Sequence, residues 1–225
     1  MKYKFPKTLH LPWSEGISRD DKVLENTNYL EDEVVVVTEK IDGENTTIYS
    51  DGSLHARSLD SQYHNPTQWI IRRITEQLVY GDQLIARRIP EGWRIVGENV
   101  QIKHSIYYDA LPAFFMVFAI YDQNNICLDW DSIKDWTQRL DTFTDPNLCI
   151  AHVPELYIGP WRKDEIQACY TGVSACGGDQ EGYVVRPLNA FAFNNHNAAK
   201  FVRKGHVTTQ HWRNGPFTPN KLNSA

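Results

Sequence analysis

The sequence predicts a mixed α+β fold, mainly antiparallel sheets flanked by a few helices. Three observations predict it. Short β-branched and apolar runs, bounded by Asp-Gly, Gly and Pro, recur along the chain and read as strands. Apolar residues at helix spacing occupy only a few stretches. The strands do not alternate regularly with those stretches, which disfavours a doubly wound parallel sheet.

The elements follow in order. Residues 34–38, Val-Val-Val-Val-Thr, read as a buried strand. Lys40 and Asp42-Gly43 lead to a second strand over 46–49, and Asp51-Gly52 turns the chain into a third over 53–57. Pro66 opens a helical pattern carried by Trp69, Ile70, Ile74 and Leu78, with Leu84 and Ile85 extending it. Residues 93–100 and 114–121 read as strands. Asp131 or Ser132 is placed to cap a helix whose Ile133, Trp136 and Leu140 share one face. A further helix is expected over 163–170. Short strands are expected over 182–186 and 200–202. Residues 1–213 then form one domain, and 214–225, rich in Pro, Asn and Ser, a loosely held tail.

Composition narrows the class. With 225 residues, 41% of them hydrophobic and 23% charged, the chain can bury one large core. No apolar run is long enough for a transmembrane helix, and residues 1–7 lack a signal-peptide core. A cytoplasmic protein, cellular or virus-encoded, is the expectation, with no membrane partner. Cys127, Cys149, Cys169 and Cys176 form no C-x-x-C pair, so free thiols are expected rather than zinc ligands. The net charge of −5 conceals an asymmetry. No Asp or Glu follows Glu181, while Arg186, Lys200, Arg203, Lys204, Arg213 and Lys221 do. Arg72, Arg73, Arg87, Arg88 and Arg94 form a second basic set. Such clusters attract phosphates even in an acidic protein, although a solvated charged face reads the same way.

The chain contains no G-x-x-x-x-G-K-[ST] loop, and no G-x-G-x-x-G follows a strand. A nucleotide would not be held on either of those turns. The informative segment is Glu39-Lys40-Ile41-Asp42-Gly43-Glu44-Asn45. A lysine between two strands is either a charged residue beside a hairpin turn or a nucleophile on a cleft floor. The second role requires a neutral amine.

The remaining motifs bear on that choice. Arg57 follows Lys40 in Ser53-Leu-His-Ala-Arg-Ser58. Gly97-Glu98-Asn99 ends a predicted strand. Phe118 lies within 114–121. Glu181-Gly-Tyr-Val-Val-Arg186 and Lys200-Phe-Val-Arg-Lys204 come last. In this order, the set resembles the covalent nucleotidyltransferases: ATP-dependent DNA and RNA ligases and mRNA capping enzymes. Glu39 before the lysine and Asn45 after it match the E-K-x-x-G-x-N form of the RNA ligase 2-like clade. Residues 7–12 and 206–212 also resemble small stand-alone RNA ligase domains. Motif five departs from that clade, which shows two lysines separated by one residue. Here Val202 takes the second place, with Arg203 or Lys204 as the substitute.

The resemblance implies a ligase-type nucleotidyltransferase domain with ATP in a cleft between its sheets. It implies an ATP-dependent RNA ligase. Lys40 attacks the α-phosphate, AMP passes to a polynucleotide 5′-phosphate, and a 3′-hydroxyl displaces it. Lys200 contacts the α-phosphate and helps keep Lys40 neutral. Glu181 and Glu98 hold Mg²⁺ or Mn²⁺ or the ribose. Arg57 holds phosphate or ribose, and Phe118 stacks on the purine. Glu39, Ile41 and Asn45 complete the nucleotide side, Asn45 resembling a residue that acts on the polynucleotide end. Asp42 is left without a role. A carboxylate at Glu39 accepts from the adenine amine and repels the guanine carbonyl, which favours ATP over GTP.

Each position also has a plainer reading: Phe118 as a core aromatic, Glu98 and Glu181 as strand-end acids, Arg57 as a surface cation. The histidines show no paired metal spacing. The tryptophans read as packing residues, with Trp212 on the basic tail able to stack on a base. The residues after Lys200 are too few for the OB-fold or helical domain that larger relatives append. RNA, with DNA or hybrid ends as alternatives, is the implied partner, and a polynucleotide kinase/phosphatase that heals ends is a further one. A small DNA ligase or other covalent nucleotidyltransferase, and a non-catalytic nucleotide- or RNA-binding module, are the rival functions.

Overall fold

The computed structural model describes residues 1–59, 88–141, 149–193, 197–206 and 218–223. The helix expected from Pro66, and Trp69 and Trp212, lie outside them. The strands are β1 (Leu9–His10), β2 (Val34–Glu39), β3 (Glu44–Tyr49), β4 (Leu54–Ala56), β5 (Arg94–Asn99), β6 (Phe115–Tyr121), β7 (Ile126–Cys127), β8 (Ile150–His152), β9 (Glu155–Pro160), β10 (Gly182–Pro187), β11 (Phe191–Ala192) and β12 (Ala199–Val202). The helices are α1 (Asn28–Glu31), α2 (Trp130–Leu140) and α3 (Lys163–Ala168).

Two sheets form. The first runs β1-β12-β10-β2-β9; the second runs β11-β7-β6-β5-β3-β4, with β8 beside β6. Most ladders are antiparallel, while β1–β12 and β6–β8 are parallel. The valine run explains the centre of the first sheet. β2 lies between β10 and β9, so both its edges are paired, and its two faces meet different cores. Val36 joins the core between the sheets, with Ile48, Ile95, Phe115 and Trp130. Val35 and Val37 face a second core with Leu30, Ile166, Tyr183 and Phe201. Burying each such side chain contributes roughly 1.5–3 kcal/mol, so a polar residue in this run would disrupt one core or the other.

The chain crosses between sheets at Lys40. β2 and β3 do not pair, so Asp42-Gly43 is not a hairpin turn. The hairpin comes one turn later, at Asp51-Gly52, where β3 meets β4 and Gly52 takes φ 80°. Helix α2 starts at Asp129, whose side chain accepts from Ser132 N–H at 2.8 Å. The cap therefore lies two residues before the expected Asp131. Tryptophans pack as expected: Trp13 against Trp161, Trp93 against Trp136, and Trp130 fully buried.

The end of the chain differs from the expected loose tail. Pro219 bridges Ile102, and Leu222 bridges Leu111. The buried Asn220 side chain accepts from Tyr108 N–H at 2.9 Å and donates to the Val100 carbonyl at 2.7 Å. Composition suggested mobility, but one asparagine satisfying two backbone groups pins the segment. Among the described residues no helix is long and apolar enough to cross a membrane. All four cysteines are free.

Candidate active site

A cleft of about 470 Å³ lies between the sheets. Glu39, Lys40, Ile41, Asn45, Arg57, Glu98, Phe118 and Lys200 all line it. Strand order accounts for this convergence. In the first sheet, β12, β10 and β2 are neighbours. Lys200 therefore sits across from Val184, and Lys40 N–H donates to the Gly182 carbonyl at 3.0 Å. In the second sheet Asn45 pairs with Glu98 across β3 and β5. The two motif glycines allow the close approach. A Cβ on Gly43 would lie 2.5 Å from the Asn99 carbonyl oxygen, and one on Gly182 would drive into the Phe201 carbonyl.

Lys40 reaches Glu181, Nζ to Oε1 at 2.6 Å, and its side chain is 27% exposed. Burial disfavours its charge, but the carboxylates of Glu181 and Glu98 outweigh burial and hold its pKa above the ordinary lysine value. Lys200 behaves in the opposite way. Burial first, then the charge of Lys40, lowers its pKa to about 8. In this arrangement the carboxylates favour the charged form of Lys40, while Lys40 in turn disfavours the charge on Lys200. Two carboxylates beside Lys40 outweigh one cation.

Glu181 is 3% exposed and Glu98 half-buried, so neither is a solvent-facing strand end. Burial raises the Glu98 pKa to about 8, Lys40 opposing it. Among the described residues Glu181 Oε2 has no hydrogen-bond partner. Its Oε1 also faces His206 Nε2 at 3.2 Å, and that nitrogen lies 3.8 Å from Asp42 Oδ1. Asp42, Glu181 and His206 bring ligand atoms within 4.8 Å of one another. The orphaned buried oxygen and this hard donor set fit a divalent cation. Asp42 also has a structural task. Its Oδ2 accepts from Ser105 and Ile106 N–H at 2.7 and 2.9 Å, and its own N–H donates to the Tyr108 hydroxyl at 2.9 Å.

Glu39 is buried, and burial raises its pKa, with Ser174 and Ala175 opposing. Oε2 accepts from Ala175 N–H at 2.9 Å, while Oε1 has no hydrogen-bond partner. The Asn45 side-chain oxygen is likewise unpartnered. Phe118 occupies a β-bulge: Val96 pairs with Ala119 and Gly97 with Val117, which leaves Phe118 without a partner on β5. A bulge re-aims a side chain, and this one lines the cleft, with Phe5 edge-on at 5.3 Å. Arg57 is exposed at the rim. Ile41 is a buried core residue as well as a wall. Arg203 turns to Asp179 at 3.2 Å and Lys204 is exposed; neither lines the cleft.

Sequence reasoning missed Lys7, His10, Asp21 and His206 as site neighbours. His10 is buried with Nε2 3.4 Å from Asp21 Oδ2, and Asp21 Oδ1 lies 3.8 Å from Lys200 Nζ. Burial, then Lys200, lowers the His10 pKa to about 4. The unfolded chain takes up this proton near pH 6.5, the folded chain only near 4. Between these values the unfolded state binds more protons, so stability falls as pH falls. Melting temperature should decline from pH 6.5 to 4, and more shallowly in His10→Gln. Equal slopes in the two proteins would refute this account.

The RNA ligase family profile matches residues 33–202, three-quarters of the chain and every motif from Lys40 to Lys200. The chain belongs to the RNA ligase family. Solved structures of an RNA ligase from Naegleria gruberi resemble this family member. A mutant apo form is 19% identical, with TM-score 0.52, and the match covers 88% of this chain and 56% of that one. A mutant form with ATP and Mn is 18% identical, with TM-score 0.52, covering 88% and 57%. Another with AMP and Mn is 18% identical, with TM-score 0.50, covering 90% and 62%. At such identity the likeness establishes the shared nucleotidyltransferase fold, and this family member spans less than two thirds of the length of those ligases. No curated protein matches it.

Proposed function

We propose that the chain is an ATP-dependent RNA ligase that forms lysyl-AMP at Lys40. The observation that carries this reading is the meeting of Lys40, Glu98 and Lys200 in the lining of one cleft between two sheets, with the buried Glu181 bonded to Lys40 beside it. The Lys40 amine attacks the α-phosphorus of ATP. A phosphorus–nitrogen bond forms, the bond to the bridging oxygen breaks, and pyrophosphate leaves with its electron pair. AMP then passes to a 5′-phosphate, and a 3′-hydroxyl displaces it to give the phosphodiester.

Each residue contributes positioning or charge. Lys200 grips the α-phosphate as its charge develops. Glu39 accepts the adenine amine through Oε1, Phe118 stacks on the ring, and Arg57 closes the phosphate side. Asn45 serves the polynucleotide end. A divalent cation held by Glu181 and Glu98, with Asp42 and His206 beside them, would supply charge neutralisation. When those carboxylates are otherwise engaged, their hold on the Lys40 proton weakens and the amine can become nucleophilic. RNA ends are the substrate this family favours, and the basic residues after Glu181 suit a polynucleotide. A kinase/phosphatase that prepares the ends fits the same scheme.

The test is covalent labelling. Purified protein, freed of bound AMP by pyrophosphate and verified by intact mass, is given α-labelled ATP or GTP with Mg²⁺ or Mn²⁺ and then denatured. Label retained from ATP and not GTP is expected; no label under any metal would overturn the reading. Glu39→Ala should narrow the ATP-to-GTP ratio by about tenfold or more, because the base-reading acceptor is lost. An unchanged ratio would remove Glu39 from base choice.

A further inference from the structure

The second lysine of motif five is missing, and the fold closes its place. Val202 is 3% exposed. Residues 14–16 lie over it: Glu15 and Gly16 N–H donate to its carbonyl, and Ser14 Oγ accepts from its N–H at 2.9 Å. Val202 does not line the cleft. Arg203 and Lys204 do not line the cleft either. The phosphate subsite thus lacks a second cation on the strand that carries Lys200.

The segment preceding β1 supplies one. β1 runs parallel to β12, with His10 opposite Lys200, and the residues before it, including Lys7, form the cleft wall. Asp21 links the two cations. Its Oδ2 is fixed by Ser18, accepting from the N–H at 3.0 Å and the hydroxyl at 2.6 Å. Its Oδ1 faces Lys7 Nζ at 3.4 Å and Lys200 Nζ at 3.8 Å. The Asp20 carbonyl also accepts from Lys7. Two ammonium groups flank one anionic oxygen at the edge of the cleft. A nucleotide phosphate presents the same kind of acceptor with more charge.

Resting on the nucleotide-binding reading above, we propose that Lys7 is a phosphate-binding residue that grips, with Lys200, the α-phosphate of the nucleotide. Asp21 is the positioning residue that holds both amines apart and ready. The cation pair that the resemblance places on a single strand is here divided between β12 and the segment that leads into β1.

Equilibrium dialysis tests this without requiring catalysis. Lys40→Arg cannot react, so it serves as the background, and ATP, AMP and adenosine are the probes. Adding Lys7→Ala should weaken ATP and AMP about tenfold and leave adenosine unchanged, as expected for losing one charge-assisted bond to phosphate. Adding Lys7→Arg should restore most of the loss. Lys4→Ala, at an exposed lysine outside the cleft, should match the background. Equal weakening of adenosine, no weakening at all, failure of arginine to restore, or weakening of ATP without AMP would each overturn the assignment. Because the readout is binding, an absence of Lys40 labelling would count against the ligase reading and leave this result to be judged separately.

Discussion

Lys40→Arg leaves no nucleotide on the denatured chain after incubation with ATP and a divalent metal. The substitution separates chemistry from structure. Arginine keeps a positive charge beside Glu181 and Glu98, so the buried carboxylates retain a partner. It cannot lose its proton in a protein, so it cannot act as the nucleophile. Lys40→Ala should also abolish labelling, but it strands Glu181 and should melt earlier than Lys40→Arg. Intact mass after denaturation reads the first result and a thermal melt the second. An AMP adduct on Lys40→Arg at the wild-type level would place the nucleophile elsewhere.

Lys200→Ala slows adenylylation by about 10²–10³-fold, the cost of removing one preorganised donor from a developing oxyanion. The pH profile carries further information. The free-protein pKa of Lys200 is lowered to about 8. It grips phosphate only when protonated, so kcat/KM for ATP, which reports groups in the free protein, should descend above pH 8. Lys40 acts in the opposite sense, since it must lose a proton and so contributes an ascending limb. Lys200→Arg stays charged throughout, and its descending limb should disappear even if its rate is lower. A descent at the same pH in Lys200→Arg and wild type would assign that limb to another group.

Much of this site could be read from the chain because its parts are local. Lys40, Glu181 and Lys200 each sit at or beside a strand, and a strand has few ways to present a residue at its end. β2, β5, β6 and α2 were legible because their apolar patterns are long. β9 was not: Gly159 and Pro160 break its pattern, and as an edge strand it alternates weakly between covered and open positions. The sheet change at Lys40 was equally hidden, because Asp-Gly reads as a hairpin whichever sheet receives the next strand. Asp21 and Lys7 were hidden for a different reason. In sequence they look like ordinary surface charges near the start of the chain. Only the parallel pairing of β1 with β12 brings them to Lys200, and no local spacing encodes a partner 179 or more residues away. The opposite pKa shifts of Lys40 and Lys200 depend on the same long-range assembly.

Asn220 gives the last segment a reach beyond its own contacts. It fixes the amide of Tyr108, whose hydroxyl in turn accepts from the Asp42 N–H, two residues from Lys40. The family match stops at residue 202, so a chain trimmed there would keep the motifs from Lys40 to Lys200 but lose Arg203 and Lys204. It would also lose the prop behind the Lys40 loop. The family profile thus ends before the residues that prop this loop, and shortening the protein to residue 202 would loosen the very lysine the motifs identify.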